Sequence, residues 1–112
     1  MKSQKLKLLF VCSKNQWRSP TAEKIYRNDN RIEARSSGTS KKAKHRISIK
    51  DIEWADLIMC MEKKHKQQVD RIFNSSKLPP IIVLDIEDKY KFMDKNLISL
   101  LELKIENILS NV

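Results

Sequence analysis

A cysteine and an arginine separated by five residues are the pair in this sequence best suited to chemistry. They are Cys12 and Arg18, in the run Cys-Ser-Lys-Asn-Gln-Trp-Arg. An apolar run rich in strand formers, residues 6–11, precedes them, and Ser19 and Pro20 predict a helix with Ser19 as N-cap and Pro20 as its first residue. Backbone N–H groups that converge at the start of a helix can bind an anion such as phosphate. The pattern predicts a phosphate-binding loop between a strand and a helix.

The two ends of this loop have different expected roles. The field of the helix N-terminus favours the thiolate form of Cys12, which is the nucleophilic form. The planar guanidinium of Arg18 can bind two phosphate oxygens at once. Taken singly, such a cysteine is usually a buried apolar residue and such an arginine a solvated charge. Their coincidence with strand and helix signals favours a site in which phosphate is bound by Ser13, Lys14, Asn15, Gln16, Trp17 and Arg18.

Several later segments belong with this loop in one recognisable pattern. They are residues 36–40 (Ser-Ser-Gly-Thr-Ser), residues 55–62 (Ala-Asp-Leu-Ile-Met-Cys-Met-Glu) and the acidic loop around Asp88. Together with residues 10–23 they resemble, in order and over nearly the whole chain, the low-molecular-weight protein tyrosine phosphatases, in particular a short bacterial branch of predicted phosphatases. The resemblance implies a cysteine-dependent phosphatase, a hydrolase that cleaves phosphate monoesters through a phosphocysteine intermediate.

The resemblance also implies a general acid in the late acidic loop. Asp88 is the expected residue, because Ile-Glu-Asp-Lys-Tyr at 86–90 is similar to the family's loop of aspartate, proline and tyrosine. Lys89 stands where the family has its proline, which makes the match weaker. Asp85, Glu87 and Asp94 therefore remain competing candidates for the same role.

Three further residues have supporting roles by the same resemblance. Ser19 would donate a hydrogen bond to the Cys12 sulfur, Ser36 would bond to Asn15, and Tyr90 would line the site. Independently of the family, Asn15 is expected in the left-handed conformation, because the loop has no glycine and asparagine tolerates that conformation next best.

The sequence departs from the family at several positions. Lys14 replaces a small glycine and would add positive charge at the rim of the site. Trp17 stands where some members have a second cysteine, and we interpret it as a packing residue rather than a wall of the pocket. Cys60 is interpreted as a buried residue of the third strand. The segment 40–47 is shorter than in full-length relatives, which leaves specificity for phosphotyrosine open.

Composition limits the class of protein. A chain of 112 residues is expected to form one domain, residues 1–112, with a single modest core. Two cysteines, no secretory signal and no apolar run of membrane-spanning length predict a soluble cytoplasmic protein without a membrane partner. No cluster of His, Cys or Asp has the spacing of metal ligands, and His45 and His65 are interpreted as structural, so neither metal nor cofactor is expected.

The net charge of +9 predicts anionic partners. A phosphorylated substrate is favoured, either a phosphotyrosine protein or a small phosphomonoester, and nucleic acid is the weaker alternative. The basic run 41–46 follows the second strand and is equally consistent with a solvated surface and with a charged edge of the site. The second basic run, 63–66, is interpreted as a solvated helix face.

Strand and helix patterns alternate along the chain, which predicts a single-domain α/β fold. We expect four parallel strands, at 7–11, 32–36, 56–61 and 81–84, in a doubly wound sheet of order 2-1-3-4 flanked by helices. The run 81–84 is continuously apolar, as is typical of a buried parallel strand. In such a sheet the Cys12 loop and the loop 85–93 leave the same edge, the carboxyl ends of the strands.

Two other functions fit parts of the pattern. A non-catalytic module that binds a phosphorylated protein or nucleic acid would explain the charge and the missing proline beside Asp88, but no aromatic residues alternate with the basic ones. Arsenate reduction uses a similar loop, but its thioredoxin-linked form needs further cysteines near the last strand, and only Cys60 remains.

Overall fold

The structure is a computed structural model that describes residues 5–74 and 77–111. Its elements, in chain order, are β1 (Leu6–Cys12), α1 (Arg18–Tyr26), β2 (Ile32–Gly38), α2 (Ile49–Trp54), β3 (Leu57–Cys60), α3 (Lys63–Ile72), β4 (Ile81–Val83) and α4 (Lys95–Leu109). Residues 1–4, 75, 76 and 112 of the predicted domain lie outside the described residues. Within the described ranges, no helix has both the length and the apolar character needed to span a bilayer.

The four strands form one parallel sheet in the order β2-β1-β3-β4, which confirms the predicted topology. In the register of this sheet, Cys12 lies opposite Gly38 of β2, and Val11 lies opposite Cys60 of β3. The prediction that residues 81–84 form a buried strand was wrong in part. β4 ends at Val83 and is half-buried, because it is the outer strand beside β3 and has a neighbour on one side only.

The core has two layers, one on each face of the sheet. Leu8 and Phe10 of β1 pack with buried residues of α1 and α4. Leu9 and Val11 point to the opposite face and pack with residues of α2 and α3. All four of these β1 side chains are fully buried. Strand β1 is therefore a central strand, and its last residue, Cys12, is held at the carboxyl edge of the sheet.

The helix starts follow local capping rules in two cases. Helix α2 has a capping box between Ser48 and Asp51, and the Asp94 side chain accepts hydrogen bonds from Asn96 N (2.8 Å) and Leu97 N (3.2 Å) at the start of α4. Both caps match the sequence pattern.

Helix α1 begins two residues earlier than predicted. Trp17 is its N-cap and Arg18 its first residue, so the prediction of Ser19 as N-cap and Pro20 as first residue was wrong. The Ser19 side chain is not available for capping because it contacts Cys12 and Asn15. Pro20 is tolerated at the third helical position because the first intrahelical bond, from Thr21 N to Trp17 O, comes after it.

Candidate active site

A cleft of about 280 Å³ lies at the carboxyl edge of the sheet, above the end of β1. Three parts of the chain form it: the loop between β1 and α1, the first turn of α3, and the loop after β4. Its lining residues are Cys12, Ser13, Lys14, Gln16, Trp17, Arg18, Lys64 and Asp88. The topology therefore brings together the predicted nucleophile, the predicted arginine and the predicted acid.

The loop backbone is held by the segment that follows β2. Backbone N–H groups of Thr39, Ser40 and Lys44 donate to the carbonyl oxygens of Cys12 (3.0 Å), Ser13 (2.9 Å) and Lys14 (3.0 Å). Asn15, in the middle of the loop, has φ = 53°, the left-handed conformation expected from the sequence. Of the basic run 41–46, Lys44 therefore supports the loop between β1 and α1 through its backbone, and no residue of the run lines the cleft.

The close contact between β2 and this loop requires a glycine at position 38. A Cβ atom at Gly38 would lie 2.9 Å from Asn15 N and 2.6 Å from Ala43 Cβ, and would overlap Ser13 O more severely. Two of these three atoms belong to the loop backbone. Gly38, the only glycine in the chain, is therefore the residue that lets β2 approach the loop.

We predict that Gly38→Ala distorts the loop. Because the collision involves backbone atoms, the free energy of unfolding should fall by about 1 to 3 kcal/mol, and phosphate binding should weaken. Thermal unfolding and calorimetric titration with inorganic phosphate measure the two effects. The double variant Gly38→Ala/Ala43→Gly is the control, since it removes only the side-chain collision. Full rescue by Ala43→Gly would contradict the role assigned to the backbone contacts.

Cys12 lies at the base of the cleft, with 3% of its surface exposed. Its sulfur is 2.9 Å from Ser19 Oγ, and the Asn15 side-chain amide donates to the same Ser19 oxygen at 3.0 Å. Because Ser19 Oγ accepts a hydrogen bond from Asn15, its single hydroxyl hydrogen is left to donate, either to the Cys12 sulfur or to the Ser37 carbonyl oxygen at 3.3 Å. A hydrogen bond to the sulfur stabilises a thiolate relative to a thiol.

Two expected supporting contacts are not formed as predicted. The Ser36 hydroxyl donates to the Glu23 carboxylate, whereas Asn15 donates to Ser19, so the predicted bond between Ser36 and Asn15 was wrong. Tyr90 is half-buried against the core layer of α1 and α4 and is not among the residues that line the cleft. Ser36 contacts Glu23, and Tyr90 packs against the core. A family resemblance does not specify such neighbours.

Arg18 is held by contacts from two other loops. Its side chain is 2% exposed, and Nη1 donates to Glu62 Oε1 (2.5 Å) and to the Ile86 carbonyl oxygen (2.7 Å). Arg18 Nε lies 3.6 Å from Asp88 Oδ1. Since the Asp88 side chain is 53% exposed, a bound anion can displace it from the guanidinium.

Glu62 is a site residue that the sequence does not single out. Partial burial opposes ionisation of this carboxyl, but the hydrogen bond from Arg18 and its positive charge outweigh burial, so the pKa of Glu62 is lowered. The ionised carboxylate fixes the guanidinium of Arg18 next to the cleft. The available signal was its position, an acidic residue just beyond the carboxyl end of a buried strand.

His65, which was interpreted from the sequence as structural, is a second residue at the site. It is fully buried at the third position of α3, where its Nδ1 accepts from Glu62 N (3.0 Å) and its Nε2 lies 2.9 Å from Ser13 Oγ. Burial lowers the pKa of His65 to about 4, and the charge of Arg18 acts in the same direction. The side chain is therefore neutral near pH 7 and contacts the first residue of the phosphate-binding loop after Cys12.

The remaining positions divide between cleft and core. Trp17 lines the cleft and is 36% exposed, so its interpretation as a packing residue was wrong. Lys14 also lines the cleft, and so does Lys64, which corrects the interpretation of the run 63–66 as wholly solvated. Cys60 is fully buried in β3, as predicted, and burial raises the pKa of its thiol to about 12.

The described residues around the cleft do not include a cluster of metal ligands. Among the described residues, no three or more side chains of His, Cys, Asp or Glu are arranged to hold a metal ion. The charged side chains that line the cleft are Lys14, Arg18, Lys64 and one carboxylate, Asp88.

Comparison with known proteins shows likeness in structure rather than in sequence. No protein-family model matches the sequence. No curated protein matches it either. Solved structures do match, over nearly the full length of both chains, at 17% to 19% identity for the three described next.

The low-molecular-weight protein tyrosine phosphatase SP-PTP from Streptococcus pyogenes is 17% identical, with a TM-score of 0.74 over 96% of this chain and 93% of that chain. The tyrosine phosphatase Wzb from Escherichia coli K30, solved in complex with phosphate, is 19% identical, with a TM-score of 0.75 over 97% and 99%. The YwlE arginine phosphatase from Geobacillus stearothermophilus is 18% identical, with a TM-score of 0.70 over 95% and 94%. This chain therefore has the same fold as these small phosphatases.

Proposed function

We propose that this protein hydrolyses phosphate monoesters through a phosphocysteine intermediate, as a protein-tyrosine-phosphatase-like enzyme. The observation that carries the proposal is the grouping of Cys12, Arg18 and Asp88 around one cleft at the start of α1. A thiol, an anion-binding helix terminus and a carboxyl group meet there within reach of one phosphate. The shared fold with tyrosine and arginine phosphatases supports the same class of reaction.

In the first step, the Cys12 thiolate attacks phosphorus in line with the leaving oxygen. The sulfur–phosphorus bond forms as the phosphorus–oxygen bond of the substrate breaks, and Asp88 donates its proton to the leaving oxygen. Arg18 and the loop N–H groups bind the equatorial oxygens, where negative charge is spread in the transition state. Ser19 Oγ lies 2.9 Å from the attacking sulfur, within hydrogen-bond distance.

In the second step, water hydrolyses the phosphocysteine. The Asp88 carboxylate, deprotonated by the first step, accepts a proton from the water that attacks phosphorus. The sulfur–phosphorus bond breaks, inorganic phosphate leaves, and the Cys12 thiolate is restored. No redox step or further cysteine is required, in agreement with the burial of Cys60 in β3.

The test of the proposal is hydrolysis of p-nitrophenyl phosphate by the full chain at mildly acidic pH, with reductant and chelator present. Turnover that requires Cys12 is the expected result. Phosphate binding without turnover would instead favour the alternative function, a module that binds phosphorylated proteins or nucleic acid. Loss of activity on adding the chelator to the pure protein would contradict a mechanism that uses side chains alone.

We predict that Asp88→Asn lowers kcat by about 10-fold to 100-fold with little change in the Kd of inorganic phosphate, because it removes the proton donor but keeps the shape of the side chain. Steady-state kinetics and calorimetric titration measure the two quantities. Asp85→Asn, at the exposed start of the same loop, is the matched control and should retain wild-type turnover. The reverse pattern would transfer the role of general acid to Asp85.

The substrate is proposed to be a phosphotyrosine protein or a small phosphomonoester. Lys14 and Lys64 at the cleft give the site a positive rim that favours anionic substrates. Peptides that contain phosphotyrosine, phosphoserine or phosphoarginine, assayed by release of inorganic phosphate, distinguish the substrate classes. The predicted cytoplasmic location stays a prediction.

A further inference from the structure

The buried histidine of α3 bridges two parts of the candidate active site. His65 Nε2 lies 2.9 Å from Ser13 Oγ, in the loop that follows β1, and Nδ1 lies 3.0 Å from Glu62 N, beyond the end of β3. The ring is fully buried, whereas Ser13 is half-buried and lines the cleft. A buried imidazole with both nitrogens engaged has a single orientation.

The partners of the ring assign its proton. The backbone N–H of Glu62 can only donate, so Nδ1 must be the unprotonated nitrogen that accepts it. A neutral imidazole then carries its proton on Nε2, and we assign the contact with Ser13 as Nε2–H donating to Ser13 Oγ. The lowered pKa of His65 agrees with this neutral state.

This assignment determines what the Ser13 hydroxyl can do. Its oxygen accepts a hydrogen bond from His65, so its own O–H is left to donate to another acceptor. Ser13 lines the same cleft as Cys12 and Arg18, where phosphoryl oxygens are the acceptors that a substrate would bring. A hydroxyl held in this way adds a donor beside the backbone N–H groups and the guanidinium.

We propose that His65 is a positioning residue that acts through Ser13, holding the serine hydroxyl so that it donates a hydrogen bond to a phosphoryl oxygen bound in the cleft. This inference rests on the proposed function, because it concerns the same phosphate site. His65 does not itself touch the substrate. It orders a side chain that does, and the backbone contact at Nδ1 keeps the imidazole in the required tautomer.

A double-mutant cycle tests the coupling between the two residues. His65→Asn keeps an acceptor near the place of Nδ1 for Glu62 N but is too short to reach Ser13, and Ser13→Ala removes the hydroxyl. We expect each variant to lower kcat/KM for p-nitrophenyl phosphate about tenfold, and the double variant to lower it by no more than about tenfold. His65→Gln extends as far as Nε2 and should restore most of the activity of His65→Asn.

Gln68→Met is the matched control. It tests whether the loss of any contact between α3 and its neighbours lowers activity. Gln68 accepts a hydrogen bond from Thr39 (2.6 Å) and so ties α3 to the segment after β2 without lining the cleft. Thermal unfolding of every variant separates losses of stability from losses of activity. A purely structural role for His65 predicts losses that multiply to about a hundredfold in the double variant, and no rescue by His65→Gln.

Binding of inorganic phosphate, measured by calorimetric titration, separates this inference from the proposed function. The same non-additive pattern in the Kd of phosphate is expected, because the Ser13 hydroxyl contacts the anion in the absence of turnover. Coupling in phosphate binding without turnover by the wild type would refute the proposed enzyme and support the positioning role. Turnover by the wild type with multiplicative losses, or with no effect of His65→Asn, would overturn the positioning role alone. Absence of both turnover and phosphate binding would overturn both.

Discussion

Replacing Cys12 by serine is expected to lower kcat for p-nitrophenyl phosphate by more than about a thousandfold. The nucleophile must be ionised before it attacks, and a serine hydroxyl ionises far less readily than a thiol. The neighbours of Cys12 do not compensate. Ser19 Oγ, 2.9 Å away, can donate a hydrogen bond to the sulfur, but it is not a base that could activate a hydroxyl.

The Cys12→Ser protein should still bind phosphate, because Arg18 and the loop N–H groups are unchanged. Calorimetric titration with inorganic phosphate therefore accompanies the kinetic assay. Cys60→Ala is the matched control, since it removes the other cysteine, which is buried in β3, and should retain wild-type kcat. Substantial turnover by Cys12→Ser would exclude a phosphocysteine intermediate.

Replacing Arg18 by lysine is expected to lower kcat/KM by about a thousandfold, although the positive charge is kept. Lysine presents a single ammonium group and cannot donate to Glu62, to the Ile86 carbonyl and to two phosphate oxygens at once. The planar guanidinium makes these contacts from one rigid group. In Arg18→Lys, Glu62 would also lose the hydrogen bond that lowers its pKa.

Steady-state kinetics and phosphate titration measure the loss, and thermal unfolding shows whether the fold survives it. Arg27→Lys, at the exposed carboxyl end of α1, is the matched control and should behave as wild type. If Arg18→Lys retained kcat/KM within tenfold of the wild type, the guanidinium would not be the main group that stabilises the transition state. Backbone N–H groups of the loop would then carry that role.

The parts of this protein that were predictable from sequence are those determined by near neighbours along the chain. The apolar run of β1, the loop that begins at Cys12 and the presence of a helix after it were all predicted from about twenty consecutive residues. The left-handed conformation of Asn15 was predictable because the loop has no glycine that could adopt it. The Asp94 cap was predictable because its side chain bonds to residues two and three positions away. Alternating strand and helix patterns predicted the sheet order, because parallel sheets allow few arrangements.

The helix start at Arg18 shows where local patterns become insufficient. A serine followed by proline is a typical helix start, yet in this fold Ser19 bonds to Cys12 and Asn15 instead of capping. The location of Trp17, in the core or at the cleft, was equally ambiguous from sequence, because a side chain of its size favours burial in any sequence. Its place at the cleft follows from the position of the loop above the sheet edge.

The sequence by itself determined the strand order and the placement of Cys12 and Arg18 at the two ends of one loop, because a strand, a loop and a helix in direct succession specify their own geometry. Only the tertiary structure decided which residues hold that loop. Glu62 reaches Arg18 across 44 positions, and His65 reaches Ser13 across 52. Both contacts exist because β1 and β3 are adjacent in the sheet, so that the segments that follow them meet at one edge. Contacts of that kind leave no local pattern in a sequence, since their energy is gained only after the sheet has formed.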